Sequence, residues 1–278
     1  MLMDELAAQV GFFSPGEYPT CASAAGVCSS SARIASACPV TCDACATDPN
    51  KPSGLDRQEP FDSAKLALVS DETMSVVELP GGHVLFVPTT RASDRHGVAY
   101  LPGALINHLA YAPLCREIAR LSKLPVLLLR VTMRLAILGK SSITSALKTH
   151  AATAQVTSWM LGGHSMGGAA ASSLVDLPSI SAIFLHGAYA IASLKKLPVL
   201  QVLAEHDAVI DANEIEKAKA LYMPTGAVVH VIAGGNHAGF GFYGPQSGDG
   251  ERTISLAEQQ LQVARTTADW LRTLVYVE

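Results

Sequence analysis

Short apolar runs alternate with amphipathic segments from about residue 62 to the end of the chain. Runs 74–79, 83–88 and 98–101 predict strands, and the turn signal Pro80-Gly81-Gly82 joins the first two. Five later runs are brief and nearly continuous in apolar residues, which is typical of strands covered on both faces by helices. These five runs are residues 124–129, 157–161, 182–185, 199–203 and 228–232.

Helical patterns lie between most of these runs and at the end of the chain. Within residues 110–121, Leu114, Ile118 and Leu121 recur at helical spacing, which predicts an amphipathic helix. A longer helical pattern covers residues 255–274. The alternation predicts an α/β fold, with a mostly parallel central sheet of about eight strands and helices on both faces.

The composition fits one large core with a small appendage. Of the 278 residues, 49% are hydrophobic and 16% are charged. The formal net charge of -4 argues against a nucleic-acid partner, because phosphate binding needs clustered Lys and Arg. The most apolar stretch, residues 124–138, contains Arg130 and Arg134. No transmembrane segment is expected, because a spanning helix needs about 20 predominantly apolar residues.

Cysteines concentrate near the N-terminus, in an Ala/Ser-rich segment too poor in large apolar residues to build a core. They are Cys21, Cys28, Cys38, Cys42 and Cys45, while Cys115 lies alone downstream. Disulfides are the natural way to order such a segment, and they favour a secreted or luminal compartment. Residues 1–10 show no secretory signal pattern. A zinc knuckle and a disordered segment are the alternatives.

The chain is therefore predicted to have three parts. Residues 1–46 form the cysteine-rich segment, residues 47–61 form a linker rich in Pro, Asp and Lys, and residues 62–278 form the catalytic domain.

A glycine-rich turn separates the apolar run that ends at residue 162 from a helix-forming segment at 169–174. Its sequence, Gly163-His164-Ser165-Met166-Gly167, has the G-x-S-x-G spacing of a nucleophile elbow. This turn is so tight that the residues flanking the serine must lack side chains, and it exposes the hydroxyl above the sheet. The amides at the start of the following helix favour an oxyanion. Ser165 is the predicted nucleophile; the alternative is a structural turn with an idle serine.

A serine nucleophile needs a base, and the base needs an acid that orients it, because a free hydroxyl is a poor nucleophile near neutral pH. Both partners should follow later strands, at the carboxyl edge of the sheet. Asp207 follows the run at 199–203 and is the predicted acid, while His237 follows the run at 228–232 and is the predicted base. Asp211 and Glu205 are alternative acids. The other eight histidines are expected to be structural or exposed.

The tetrahedral intermediate of acyl transfer carries a negative oxygen, which needs two preorganised N–H donors. One donor is predicted to be the amide of Met166, directly after the nucleophile. The other is predicted to be the amide of Ala104, in the loop 101–107 after the third strand, where Gly103 allows close backbone approach. An ordinary Pro-Gly turn is the alternative interpretation of that loop.

From about residue 83 onward, the chain resembles the α/β-hydrolase superfamily, especially its compact, lidless, dienelactone-hydrolase-like members. The resemblance is carried by PGAL at 102–105, YAPL at 111–114, GGHSMGG at 162–168, GGNHAGFG at 234–241 and YGPQSGDG at 243–250. It implies hydrolysis of carboxylic esters without a cofactor. Two positions depart from the family: Ala204, where Gly often precedes the acid, and Arg134, where smaller polar residues are usual.

Many relatives insert a helical lid after the sixth strand. Here only residues 188–197 separate that strand from the next, which is too short for a lid domain. We therefore expect a site open to solvent, and a preference for small or protruding esters over long buried acyl chains.

The segment Cys38-Pro39-Val40-Thr41-Cys42-Asp43-Ala44-Cys45 resembles the C-terminal half of a ShKT domain, a six-cysteine module. The first cysteine of that family has no counterpart here. The resemblance implies pairing of Cys21 with Cys38 and of Cys28 with Cys42, which leaves Cys45 without a mate.

Two function classes follow from the sequence. The first is a serine hydrolase that cleaves carboxylic esters through an acyl-enzyme intermediate, with a small-molecule ester as partner. The second is a non-catalytic binding protein that keeps this fold and uses the cysteine-rich segment for recognition. Nucleotide binding is disfavoured: Gly139-Lys140-Ser141 fits the end of a phosphate loop, but Arg134 stands where that motif needs glycine.

Overall fold

The computed structural model describes residues 58–275. The predicted cysteine-rich segment at 1–46, its disulfides and most of the predicted linker lie outside the described residues. Cys115 is the one cysteine within the described part, where it is a buried free thiol.

Eight strands form one sheet, in the order β1-β2-β4-β3-β5-β6-β7-β8. Strand β2 runs antiparallel to β1 and β4, and every other neighbouring pair is parallel. The mostly parallel sheet of about eight strands is thus confirmed. The strands are β1 (Met74–Leu79), β2 (His83–Pro88), β3 (His96–Leu101), β4 (Val126–Leu128), β5 (Ser158–His164), β6 (Ile180–His186), β7 (Val199–Ala204) and β8 (Val228–Ile232).

Within residues 58–275, five α-helices connect or follow the strands. They are α1 (Ala112–Ser122), α2 (Lys140–Ala154), α3 (Met166–Ser172), α4 (Ala212–Tyr222) and α5 (Leu256–Val275). Short 3-10 helices cover Asp62–Leu68, His108–Tyr111, Thr132–Arg134, Ala136–Leu138 and Ala238–Phe240. The helix predicted at 110–121 begins as α1 at residue 112. Pro113 lies in its first turn, where the missing proline N–H costs no helical hydrogen bond.

Helices cover both faces of the sheet because successive side chains of a strand point to opposite faces. On β3, Val98 and Tyr100 join the core that packs against α1 and α5. Ala99 and Leu101 join the second core, against α2 and α3. Cα partners run from β4 through β3 to β5, so the carboxyl ends of these strands meet at one edge of the sheet.

The prediction that helices cover β8 on both faces is wrong. Val228, Val229 and Val231 are 46%, 41% and 52% exposed. Strand β8 lies at the end of the sheet and pairs with β7 alone. The preceding helix α4 buries one residue, Ala218, so it shields this edge poorly.

Residues 58–61, placed in the linker by the sequence pattern, hydrogen-bond to the domain that follows. The amide of Gln58 donates to the carbonyl of Leu105 at 3.1 Å, and the amide of Asn107 donates to the carbonyl of Gln58 at 2.9 Å. Phe61 donates to the carbonyl of Phe242 at 2.9 Å. Among the helices of residues 58–275, none is long and apolar enough to cross a membrane.

Candidate active site

Ser165 lies between the end of β5 and the start of α3, with φ 52° and ψ -124°. A positive φ is strained for a residue with a side chain, and such strain is a feature of nucleophile elbows. A Cβ at Gly163 or at Gly167 would collide with the carbonyl oxygen of Leu101. Glycine is therefore required on both sides of the serine, because the turn packs against the backbone of β3.

His237 and Asp207 are in direct contact after β8 and β7. The Nδ1 atom of His237 lies 2.8 Å from Oδ2 of Asp207, and both side chains are almost fully buried. The other oxygen of Asp207 accepts from the amides of Val209 and Ile210, at 3.0 and 3.2 Å. The carboxylate therefore accepts the Nδ1 proton of His237, and Nε2 is left as a lone-pair acceptor.

The alternative acids have other partners. The side chain of Asp211 caps α4 by accepting from the amide of Asn213 at 2.8 Å. The side chain of Glu205 accepts from the amide of Gly234 at 2.8 Å. Among these three carboxylates, Asp207 is the one that the structure brings to His237.

The loop that carries His237 is held by a carboxylate that the sequence reasoning did not single out. Oδ1 of Asp249 accepts from the amide of His237 at 3.1 Å, and Oδ2 accepts from the amide of Ala238 at 2.8 Å. The signal for this role was the Gly248-Asp249-Gly250 turn, since short acidic residues between glycines often bond to nearby backbone amides.

His237 contacts the neighbour of Ser165 in the chain, and no hydrogen bond joins His237 to Ser165 among residues 58–275. The ring of His164, next to Ser165 in the chain, lies 4.3 Å from the ring of His237. Nε2 of His237 is buried and has no hydrogen-bond partner among residues 58–275. Hydrogen bonds in catalytic groups commonly tighten when substrate binds.

His164 links the elbow to the loop after β3. Its Nδ1 lies 2.7 Å from the hydroxyl of Tyr111, and that hydroxyl accepts from the amide of Gly103 at 3.1 Å. Burial, reinforced by the nearby His237 and His186 rings, lowers the pKa of His164 well below its usual range, so the ring stays neutral.

The predicted oxyanion donors both have free amides. Neither the N–H of Met166, in the first turn of α3, nor the N–H of Ala104 donates to another described residue. The loop around Ala104 is shaped by Leu105, whose φ is 61° and whose amide donates to the carbonyl of Arg134 at 2.8 Å. A Cβ at Gly103 would lie 2.9 Å from the Tyr111 hydroxyl, so glycine is needed here.

Arg134, one of the two departures from the family pattern, supports the same loop. Its guanidinium forms an ion pair with Glu59 and donates to the carbonyl of Gln58 at 3.2 Å. The side chain of Asn107 donates to the same Glu59 carboxylate at 2.8 Å. Segments 58–59, 104–107 and 134 therefore form one connected support beside the elbow.

A cavity of about 630 Å³ lies next to this support, at the carboxyl end of β3 and β4. Pro102 and Arg134 are among its lining residues, whereas Ser165, Asp207 and His237 are not. The cavity thus borders the loop after β3, whereas His237 follows β8, and these two strands lie on opposite sides of β5 in the strand order.

Comparison with known proteins places the chain among hydrolases. A sequence profile described as "Alpha/beta hydrolase family" matches residues 97–261. A search of curated proteins found no match. An esterase from Pyrobaculum calidifontis is similar in structure, with a TM-score of 0.55, 14% identity, and coverage of 76% of this chain and 88% of that chain.

Two further solved structures are similar over most of their length. A dienelactone hydrolase from Anabaena variabilis has a TM-score of 0.53 and 17% identity, covering 73% of this chain and 99% of that chain. An S-formylglutathione hydrolase from Agrobacterium tumefaciens has a TM-score of 0.54 and 10% identity, covering 74% of this chain and 97% of that chain. At these identities the likeness concerns the fold.

Proposed function

Because the chain belongs to the alpha/beta hydrolase family, we propose that it is a serine hydrolase that cleaves carboxylic esters through an acyl-enzyme intermediate. The observation that carries the proposal is the 2.8 Å contact between His237 and Asp207, at the same edge of the sheet as a serine in a strained elbow. The esterase neighbours support the choice of an ester as substrate.

In the proposed mechanism, the hydroxyl oxygen of Ser165 attacks the ester carbonyl while Nε2 of His237 takes the hydroxyl proton. Asp207 stabilises the imidazolium that forms. The carbonyl oxygen becomes an oxyanion and accepts from the amides of Met166 and Ala104. When the intermediate collapses, the carbon–oxygen bond to the alcohol breaks and His237 returns the proton to the leaving oxygen.

Deacylation repeats the sequence with water as nucleophile. Water attacks the acyl-enzyme, His237 takes one of its protons and then returns it to the Ser165 oxygen, and the carboxylic acid leaves. Serine, histidine and water provide every proton and electron pair in these steps, so the proposal includes no cofactor.

We expect the site to be open. Residues 187–198, between β6 and β7, form no helix, which supports the absence of a lid. Turnover should fall from acetyl or butanoyl p-nitrophenyl esters to the hexadecanoyl ester, because a long alkyl chain would remain in water. A rise along the same series would contradict the open-site proposal.

A non-catalytic binding protein is the second candidate. One observation favours it: no hydrogen bond joins Ser165 to His237 within residues 58–275, and a binding protein needs none.

A fluorophosphonate probe separates the two candidates, because it labels only a serine that is activated as a nucleophile. We expect the wild type to be labelled and Ser165→Ala to remain unlabelled. Ser141→Ala, a change at an exposed serine of α2, is the matched control and should label like the wild type. An unlabelled wild type would favour the binding protein.

A further inference from the structure

We propose that the cavity beside the elbow binds the acyl group of the ester, and that Arg130 binds a carboxylate at the far end of that group. The preferred substrates would then be half-esters of dicarboxylic acids. This inference rests on the proposed ester hydrolysis and specifies its substrate class.

The position of the cavity assigns it to the acyl group. His237 must reach the leaving alcohol oxygen to protonate it, so the alcohol part lies on the β8 side of the elbow. The cavity lies on the other side, above β3 and β4, and Pro102 of the oxyanion loop forms part of its wall. Its volume of about 630 Å³ falls within the range of small-molecule sites.

The walls of the cavity combine apolar surface with a few polar groups. The apolar part comes from β1, β2 and the segments after β3 and β4, together with the first 3-10 helix. Its residues are Leu68, Val76, Val84, Ile106, Leu109 and Val131. Such a wall fits the methylene groups of an acyl chain. The few polar groups determine which chemical group can stand at the far end of that chain.

Most polar groups of the cavity are already engaged. Arg134 is paired with Glu59, whose carboxylate also accepts from Asn107. His108 donates its Nε2 proton to the carbonyl of Gly82 at 2.8 Å. Burial lowers the pKa of His108 to about 4, so the ring carries no charge near neutral pH.

Arg130 differs from these groups. Its guanidinium has no ion pair or side-chain hydrogen bond with any residue of the described range 58–275. Its backbone amide donates to Nδ1 of His83 at 3.0 Å, and its side chain lies against Gly82, where a Cβ would approach its Cδ to 3.1 Å. The exposed guanidinium therefore lies at the cavity wall without a counterion among residues 58–275.

Glu78 also lines the cavity, but it lies farther from the elbow. From β5, the strand order runs through β3, β4 and β2 to β1, which carries Glu78. Arg130 follows β4, two strands from β5, so an acyl chain that enters from Ser165 meets Arg130 first.

The sheet register sets the length of the acyl group. Leu128 of β4 and Gly162 of β5 both pair with Tyr100 of β3. The backbones of Arg130 and Ser165 are therefore separated by about two strand spacings, or about 10 Å. The Arg130 side chain lies against Gly82, on the β2 side of β4, so it does not shorten this distance. A dicarboxylic acid of about six carbons, joined to the Ser165 oxygen, would cross the two strand spacings.

The test compares two p-nitrophenyl esters of equal length, the half-ester of adipic acid and its terminal amide. We expect the wild type to have about tenfold higher kcat/KM for the half-ester, because a hydrogen-bonded charge pair replaces a neutral contact. Arg130→Gln should lose this preference, so that its kcat/KM for the half-ester equals that for the amide. Arg265→Gln, at an exposed arginine of α5, is the matched control.

A binding measurement separates this inference from the proposed reaction. Adipate should raise the Tm of Ser165→Ala, and the shift should vanish in Ser165→Ala with Arg130→Gln. Equal kcat/KM for both esters in the wild type, with turnover that depends on Ser165, would overturn the inference and leave the esterase intact. No turnover and no fluorophosphonate labelling, with the Tm shift still dependent on Arg130, would overturn the esterase and leave an anion-binding cavity.

Discussion

The two sides of the elbow are supported in different ways. On the histidine side, Asp207 and Asp249 bind His237 and its backbone from loops at the ends of β7 and β8. The other side carries Ala104, the proposed oxyanion donor, and is called the oxyanion side. Its loop is held by segments 58–59 and 134 and by Tyr111, and it borders a cavity. The first support is compact and buried, whereas the second is assembled from distant parts of the chain.

This difference predicts that substitutions of the carboxylates on the histidine side lower kcat strongly. On the oxyanion side, substitutions of residues far from Ser165 should also alter activity, because they support the loop that carries Ala104. Four experiments test the contrast, from the largest expected effect to the smallest.

Replacing the carboxylate of the histidine side should have the largest effect. Asp207→Asn presents an amide that no longer fixes the Nδ1 proton of His237, so kcat should fall by about 10³- to 10⁴-fold. Asp211→Asn is the control, because Asp211 caps α4 instead; it should keep wild-type kcat and lose at most about 1 kcal/mol of stability. Equal losses of activity in the two variants would contradict the assignment of Asp207.

Acid should destabilise the fold, because folding keeps neutral both His108, at the cavity beside the oxyanion side, and His186, at the end of β6. Burial lowers the pKa of His108 to about 4 and that of His186 to about 3, from a usual value of 6.5. The unfolded chain binds these protons first as the pH falls below 6.5, so the free energy of unfolding decreases from there towards the folded pKa values. At pH 5 each histidine should account for about 2 kcal/mol.

Urea unfolding at pH 7.5 and at pH 5 measures this loss. His108→Gln should remove about half of the summed effect of the two histidines, whereas His230→Gln, at an exposed position of β8, should leave it unchanged. The same pH dependence in both variants would exclude His108 as a source.

Tyr111 links the loop that carries Ala104 to the elbow, because its hydroxyl bonds to Gly103 and to His164. Tyr111→Phe removes the hydroxyl that accepts from the Gly103 amide and hydrogen-bonds to His164. We expect kcat to fall by about 10- to 100-fold with KM nearly unchanged, because the loop that presents the Ala104 amide loses its tie to the elbow. Tyr222→Phe, at the end of α4, is the control. A loss of stability without any change in kcat would mean that Tyr111 is structural only.

Arg134 should show the smallest effect. Arg134→Gln removes the ion pair with Glu59 and the bond to the Gln58 carbonyl, and KM should rise by about threefold. Stability should change by less than about 1 kcal/mol, because the Glu59 side chain of this pair is largely exposed. A double-mutant cycle with Glu59→Gln should give a non-additive change in KM. Additive changes would show that the two side chains act separately.

The sheet could be predicted from the sequence because β3, β5, β6 and β7 are buried and their sequences contain nearly continuous apolar runs. The same rule failed at β8, whose valines form an equally apolar run. Strand β8 is exposed because it lies at the end of the sheet and because α4 covers it poorly. Neither cause can be recognised in the sequence of the strand.

The candidate site divides in the same way. The elbow is a local turn, and Gly163, Ser165 and Gly167 reveal it within five positions. The roles of Tyr111 and Arg134 escaped sequence reasoning because each depends on contacts between segments that only the fold brings together. Tyr111 lies just before a helix and Arg134 follows a strand, and no sequence pattern around either residue predicts these contacts.

The hydrogen bonds of Gln58 and Glu59 bear on how this protein can be shortened. A truncated chain that begins at residue 62, where the apolar alternation starts, would lack the partners of Leu105, Asn107 and Arg134. Such a version would fold its sheet and present a loosened oxyanion loop. A shortened protein for crystallisation or engineering should therefore begin before Gln58. Proteolytic cleavage between residues 59 and 62 should lower the activity, because it separates Gln58 and Glu59 from the rest of the domain.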